Sequence, residues 1–480
     1  MELVLIFSSL LIAVLVCLFV KRRIVVECAS LLAVAIALVE SILVALRVAA
    51  HGEYSPHVFF SVDALGALVM LIISIVGCAT VGYSIAYLRK ETAQNVIGQR
   101  RVRQYFILLN LFLMAMFLAI TANHPIFAWI AIEATTLATA FLISFYNKPS
   151  AMEAAWKYLV INSVGLLLGF FGTLLYFTAM HSLDGNEFVS WQMLLQNAAF
   201  LDPLIAKIAF IFVLIGYGTK VGLAPMHTWL PDAHSKAPAP ISALLSGVLL
   251  NVALVVVLRF KLITDAVVEP SFSQILLIVL GLLSIFIVAL IMLTQNNYKR
   301  LLAYSSIENM GIMSLGFGFG GLGVVGAIMH MMYHALIKST LFLSAGTIFL
   351  RYHSTKIAKI RGMLTALPVS GALFFIGFLA ITGTPPFGIF FSKVLIVTGG
   401  MHVHPMMSAL ALVLMAILFI GFFKQVSAMA FGDVPTEVEV GEKNIWLILP
   451  PLALLVLFVV LSFYLPPFLS TLIRSAASHY

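Results

Sequence analysis

The sequence predicts an all-α, polytopic membrane protein of about fourteen transmembrane helices, and three observations predict it. The chain is 62% hydrophobic and 10% charged, with a mean hydropathy of +1.11, whereas soluble domains carry roughly 25% charged residues. Its apolar runs repeatedly reach the roughly 18–25 residues needed to cross a bilayer. Its Lys and Arg residues fall in alternate loops. The net charge of +8 therefore sets topology and does not point to nucleic acid.

The first run, "MELVLIFSSLLIAVLVCLFVKRR", lacks a basic leader and a small-residue cleavage site, so it is expected to stay as the first helix. Further spans are expected near 24–48, 61–88, 104–122, 125–146, 157–180 and 204–223, then 241–260, 274–295, 301–319, 323–350, 364–398, 405–431 and 445–473, the first being 3–20. Loops after odd-numbered spans hold seventeen basic residues, among them Lys21, Arg22, Arg23, Arg100, Arg101, Lys299 and Arg300. Loops after even-numbered spans hold little beyond Lys261, and the 181–202 loop adds Asp184, Glu187 and Asp202. By the positive-inside rule both termini are expected on the non-cytoplasmic side. Cys17, Cys28 and Cys78 form no CxxC pair and are expected to be small core residues rather than ligands or a disulfide framework.

The twelfth span is too long. Thirty-five residues of helix extend about 50 Å against a hydrocarbon core of about 30 Å, and "TGTPPFG", Thr382 to Gly388, lies in its middle. Pro385 and Pro386 remove donors and clash with the preceding turn, so the helix must break there. The seventh span ends in "GTKVGLAP", interrupted in the same way at Pro225. Corresponding interruptions in two halves point to a transporter with internal repeats. Four segments are expected: helices 1–3 (1–100), a five-helix repeat of helices 4–8 (101–262), its inverted copy of helices 9–13 (263–432), and a C-terminal helix (433–480).

Several charges sit where lipid should reject them. Glu133 lies mid-span in "AWIAIEATTLATAF", Lys220 late in span seven, Lys338 in span eleven and Lys393 just past the break in span twelve. Each costs at least about 2.5–3.5 kcal/mol near the bilayer centre unless paired or hydrated. His330, His334 and Lys338, at i, i+4 and i+8 in "AIMHMMYHALIKSTLF", fall within about 80° of one helix face and climb about 12 Å. Histidine titrates near neutrality and an enclosed lysine exchanges protons more readily than an exposed one. Such a stripe suits proton passage. By contrast "GFGFGG" (316–321) lacks any βαβ context and is no nucleotide site. "GLLLG" (165–169) reads as close helix packing, and His402 with His404 is too sparse for a metal site.

The stretch "KVGLAPMHTWLPDAHSKAPAPIS", with "KRLLAYSSIENMGIMSLG", "HMMYHALIKSTLFLSAG" and "TGTPPFGIFFSK", resembles the antiporter-like membrane subunits of respiratory complex I, multisubunit Na+/H+ antiporters and membrane-bound group 4 hydrogenases. The likeness runs over roughly 100–400. It implies a central line of buried charges carrying protons, with Glu133, Lys157, Lys220, His330, His334, Lys338 and Lys393 as its members. His227, Asp232 and His234 would line the cytoplasmic approach, with helix 8 capping as their structural alternative. Complex I relatives often carry a lysine where this chain has Asn251 in "SGVLLNVALVVVLRF". That difference favours the hydrogenase-4 branch, component F type, and leaves a gap for water or the two histidines to bridge.

The resemblance implies an ion-translocating subunit of a redox-driven complex in a prokaryotic inner membrane, moving H+ or Na+. No cofactor is expected in this chain, and partner subunits would carry iron–sulfur clusters and, in the hydrogenase case, a nickel–iron centre. Two readings stay open beside it: a cation/proton antiporter without redox chemistry, and a passive scaffold for a soluble redox module.

Overall fold

A computed structural model describes residues 1–180 and 188–480; Asp184 and Glu187 lie outside them. The described chain is helical nearly throughout, and the expected spans lie mainly on helix. Helices α1 (Glu2–Phe19), α2 (Arg23–His51) and α3 (Ala64–Ala93) come first, then α4 (Gln99–Thr121), α5 (Pro125–Ile143) and α6 (Pro149–Tyr176). Between α2 and α3 a small antiparallel hairpin pairs β1 (Tyr54–His57) with β2 (Phe60–Val62). The expected start of the third span at 61 thus falls on a strand. Asp63 begins α3 instead, its carboxylate accepting from the Gly66 amide at 2.6 Å, one of the orphan donors of a helix start.

A short α7 (Trp191–Gln196) precedes α8 (Pro203–Val221), which Asp202 caps at the amides of Leu204 and Ile205. The chain then breaks and resumes as α9 (Trp229–Lys236). Helices α10 (Ala239–Leu244) and α11 (Leu250–Asp265) form one span joined by a π turn at Leu245–Leu249. Next come α12 (Ser271–Met292), α13 (Tyr298–Phe319), α14 (Leu322–Tyr352), a short α15 (Met363–Ala366), α16 (Pro368–Thr382), α17 (Gly388–Val403) and α18 (Pro405–Ala430), and finally α19 (Leu449–Phe463) and α20 (Pro467–Ala477).

Among the described residues eleven helical segments are long and apolar enough to cross a membrane, or twelve if α19 and α20 count as one bent span. The remaining expected spans differ for visible reasons. Helix α13 carries Ser305, Ser306, Glu308 and Asn309 in its middle, and α16 and α17 are the two short arms of the broken span. The fourteenth span, expected unbroken over 445–473, bends by 74° between α19 and α20, where Pro466 and Pro467 cannot continue the helix.

The most apolar eighteen residues of Ala239–Asp265 are all buried, as are 94% of those in α14, against 33% in α18. Helices α10–α11 and α14 therefore lie inside the molecule, as does α13, of which only Arg300 is not buried. Neighbours pack in the same order in both halves: α4 on α5, α5 on α6 and α6 on α8; then α12 on α13, α13 on α14 and α14 on α16 and α17. The expected close packing at Gly165 and Gly169 is present, because a Cβ on Gly216 of α8 would meet Gly165 O at 2.7 Å.

Three expectations need correction. Cys17 is buried, but Cys28 is exposed and Cys78 only partly covered, since an apolar helix also has a face turned to lipid. Lys261, assigned to an outer loop, is 1% exposed in the last turns of α11 and pairs with Asp265 at 2.5 Å. Lys299, assigned to a basic loop, is 4% exposed in the first turn of α13.

Candidate functional site

Both breaks are built alike. Helix α8 ends at Gly222 (φ 83°) and α16 at Gly383 (φ 88°), left-handed C-caps that only glycine adopts without strain. The bonds Ala224–Pro225 and Pro385–Pro386 are both cis. The freed backbone groups find partners inside the protein. The Trp229 indole donates to Thr219 O at 2.8 Å, and the Ala224 amide donates to Ser284 Oγ at 2.9 Å. At the second break Lys393 Nζ itself donates to Ile381 O and Thr382 O at 3.4 and 3.3 Å, and the Gly388 amide donates to Ser462 Oγ at 2.9 Å. Irregular backbone at membrane depth is tolerated when protein satisfies it in this way.

Lys220, on the last turn of α8, is fully enclosed. Its Nζ donates to Thr136 Oγ1 at 2.9 Å and to Tyr158 OH at 2.6 Å, and lies 4.8 Å from the centre of the Tyr158 ring. Glu133 is one turn from Thr136 on α5. Its Oε1 accepts from Ser163 Oγ at 2.8 Å, while Oε2 is enclosed without a partner among the described residues. Lys220 and Glu133 thus form no direct ion pair. Neutral hydroxyls hold the lysine, and the carboxylate stands nearby with one oxygen free.

The second half differs. Lys393 Nζ lies 3.2 Å from Glu308 Oε1, and the side chains are 9% and 5% exposed. Glu308 comes from the centre of α13. Sequence reasoning gave this carboxylate of "SSIENMG" no role, although a mid-span glutamate is the signal that singled out Glu133.

Between these two sites runs α14. His330, His334 and Lys338 are all fully enclosed on it. The imidazoles of His330 and His334 stack with centroids 6.4 Å apart. His330 is fixed at both ends, Nε2 to Asn309 Oδ1 and Nδ1 to Ser392 Oγ, each at 2.9 Å. Both ring nitrogens of His334 lack partners among the described residues. Lys338 does not bond to the histidines. Its Nζ turns to α13, donating to Leu302 O at 2.6 Å and to Ser305 Oγ.

Asn251 sits just after the π turn. Its Nδ2 donates to Gly247 O at 3.0 Å and Met331 O at 3.4 Å, and its Oδ1 has no partner among the described residues. Buried polar atoms are normally satisfied. The free Oδ1 of Asn251 and the two free nitrogens of His334 are exceptions to that rule among the described residues.

The remaining expected residues divide. Lys157 lies apart from the enclosed line: it is half exposed near the start of α6, bonded to Glu153 at 2.6 Å and to Asp232 at 3.6 Å. Glu153, expected in a loop, is in α6 and exposed. Asp232 also pairs with Arg300, so it ties α9 to α6 and α13. His227 and His234 are buried, and His234 stacks on Phe342 at 4.9 Å.

Fold and site together define an antiporter-like, polytopic helical membrane protein with enclosed titratable groups through its middle. The chain belongs to the NADH:quinone oxidoreductase/Mrp antiporter transmembrane family, whose profile matches residues 122–419. It is 39% identical over 357 residues to a hydrogenase-4 component F homolog of Methylacidiphilum infernorum, covering 74% of this chain and 75% of that one. Its fold is similar to a chain of the membrane-bound sulfane sulfur reductase, an archaeal respiratory membrane complex, with a TM-score of 0.87, 22% identity and 99% and 97% coverage. It is also similar to a chain of the Mrp complex from Dietzia sp., with a TM-score of 0.86, 18% identity and 99% and 96% coverage.

Proposed function

We propose that this chain is the proton-translocating membrane subunit of a redox-driven complex of the hydrogenase-4 type, working beside partner subunits that hold the redox centres. The observation that carries this reading is the buried series Lys220, Asn251, His334, His330, Glu308 and Lys393, with the partly buried Glu133 beside Lys220, supplied by six packed spans. Isolated ionisable groups at such depth are costly, and a purely anchoring protein has no use for seven polar groups in series. Lys220, held by hydroxyls, receives and releases a proton as the charge balance around Glu133 changes. His334 and water at Asn251 link the two halves, and Lys393 with Glu308 forms the far station. The two five-helix units act as inverted repeats within fourteen spans, and both termini lie on the non-cytoplasmic side of a prokaryotic inner membrane.

The test is purification of the native complex and its reconstitution in vesicles with a pH-sensitive dye. Redox turnover should drive proton movement, and Lys220→Ala should abolish it with assembly intact. Lys220→Arg should fail too, because arginine does not release its proton. Normal pumping by Lys220→Ala, or a native protein without redox partners, overturns the reading.

A further inference from the structure

A second set of enclosed groups lies outside this series, at the end of the molecule where the basic loops gather. Glu91, on the last turns of α3, is 2% exposed. Tyr146 donates to its Oε1 at 2.6 Å, and the Tyr87 and Tyr146 hydroxyls are 3.2 Å apart. Glu91 Oε2 is enclosed and has no partner among the described residues. The cations whose charges reach Glu91 are Lys299 of α13 and Lys148 of the loop before α6, and neither forms an ion pair with it. Lys299 in turn donates to Ala237 O at 3.2 Å and lies 5.3 Å from the Phe349 ring centre. His234 is three residues before Ala237. It is fully enclosed, both its ring nitrogens lack partners among the described residues, and the charges of Lys299 and Lys338 both act on it.

These groups come from α3, α9, α13 and α14, four elements with no local reason to place ionisable side chains together. An enclosed carboxylate that only held structure would use both oxygens, since each unsatisfied buried polar atom costs about 1–3 kcal/mol. Solvent is close at hand. The Tyr146 ring is partly exposed while its hydroxyl turns inward to Glu91, and beside the same turn of α3 a cavity of about 440 Å³ is lined by Lys90, Gln94 and Thr347. Thr347 meets the Tyr83 hydroxyl at 3.0 Å, and the Tyr83 ring stacks on Tyr87.

We propose that Glu91 is a proton inlet from the basic face, loading Lys338 by way of Lys299 and His234. It rests on the proposed translocation function and adds to it a route beginning in α3, a helix outside both five-helix units. Each step moves one proton and no electron. Glu91 takes a proton from solvent in that cavity and gives it up to Lys299 Nζ, His234 carries it inward, and Lys338 accepts it after passing its own proton to the series at His334, one turn away on α14.

The reconstituted complex tests this with Glu91→Gln, Glu91→Asp and Tyr146→Phe, and with Glu269→Gln in an exposed turn as control. Glu91→Gln should slow pumping roughly a hundredfold or more, the scale of a lost proton-transfer group, while Asp retains most of the rate. Azide, a small weak acid, added on the basic face should restore part of the lost rate, which it would not do for a packing defect. Should Glu91→Gln fail to assemble, Tyr146→Phe carries the test, with slower pumping and azide rescue expected. Normal pumping by Glu91→Gln beside a dead Lys220→Ala removes the inlet and leaves the function standing. Normal pumping by both removes the function itself. Loss that neither Asp nor azide relieves overturns the inlet and makes Glu91 structural.

Discussion

Lys393 Nζ stands 3.2 Å from Glu308 Oε1 just after the second break, whereas Lys220, just before the first break, has two hydroxyls in place of a carboxylate. The two lysines therefore meet different partners in one structure, one a carboxylate and the other two neutral hydroxyls.

Removing one member of a buried pair leaves the other uncompensated, at a cost of about 3–5 kcal/mol. Glu308→Gln should lower the thermal stability of the purified complex and stop pumping. The double variant Glu308→Gln/Lys393→Gln should regain stability but not pumping, as melting curves and dye traces on the same preparations would record. Wild-type pumping by Glu308→Gln would remove the pair from the route.

Glu133 and Glu153 provide an internal comparison one helix apart. Glu153 is exposed and bonded to Lys157, a surface pair worth about 0–1 kcal/mol. Glu133→Gln should impair redox-coupled pumping strongly and Glu153→Gln hardly at all. Equal losses in the two variants would show that depth along the series is irrelevant.

The break at Thr382–Phe387 leaves carbonyls that Lys393 occupies. Replacing Pro385 and Pro386 with alanine should let α16 and α17 join, withdraw those carbonyls and slow proton transfer in a protein that still inserts. A reporter cysteine belongs at Thr384, which is partly exposed beside the exposed Pro385 and Pro386. Gly388 is unsuitable, because its Cβ would meet the Tyr333 ring at 2.7 Å. Thr384→Cys should react with a small soluble thiol reagent and lose that reactivity in the double-alanine background. Reactivity unchanged between the two backgrounds would make the break a packing feature.

Helices α6 and α8 touch backbone to backbone. A Cβ on Gly216 would collide with the backbone of Gly169, and overpacking of this kind costs about 1–3 kcal/mol. Gly216→Ala should push α8 outward, lower the melting temperature and reduce pumping by displacing Lys220 from Tyr158. Gly98→Ala, where nothing lies within 4 Å of the added atom, should melt like wild type.

The sequence alone determined the features that local stereochemistry and solvent preference control. Apolar length placed the spans, Pro385 and Pro386 dictated a break, and the four-residue spacing of His330, His334 and Lys338 put them on one face. Each of these is a property of a single helix. The partners of the charges were decided only in three dimensions. "SSIENMG" does not say that Glu308 meets a lysine eighty-five residues away, nor does "NNYKRLL" say that Lys299 is enclosed while Arg300 reaches Asp232. Lys157 and Lys220 are both lysines near helix ends, yet one meets solvent and the other the hydroxyls of two neighbouring helices. A buried charge is stabilised by whatever the packing of other helices brings within a few ångströms, and that arrangement has no one-dimensional period to read.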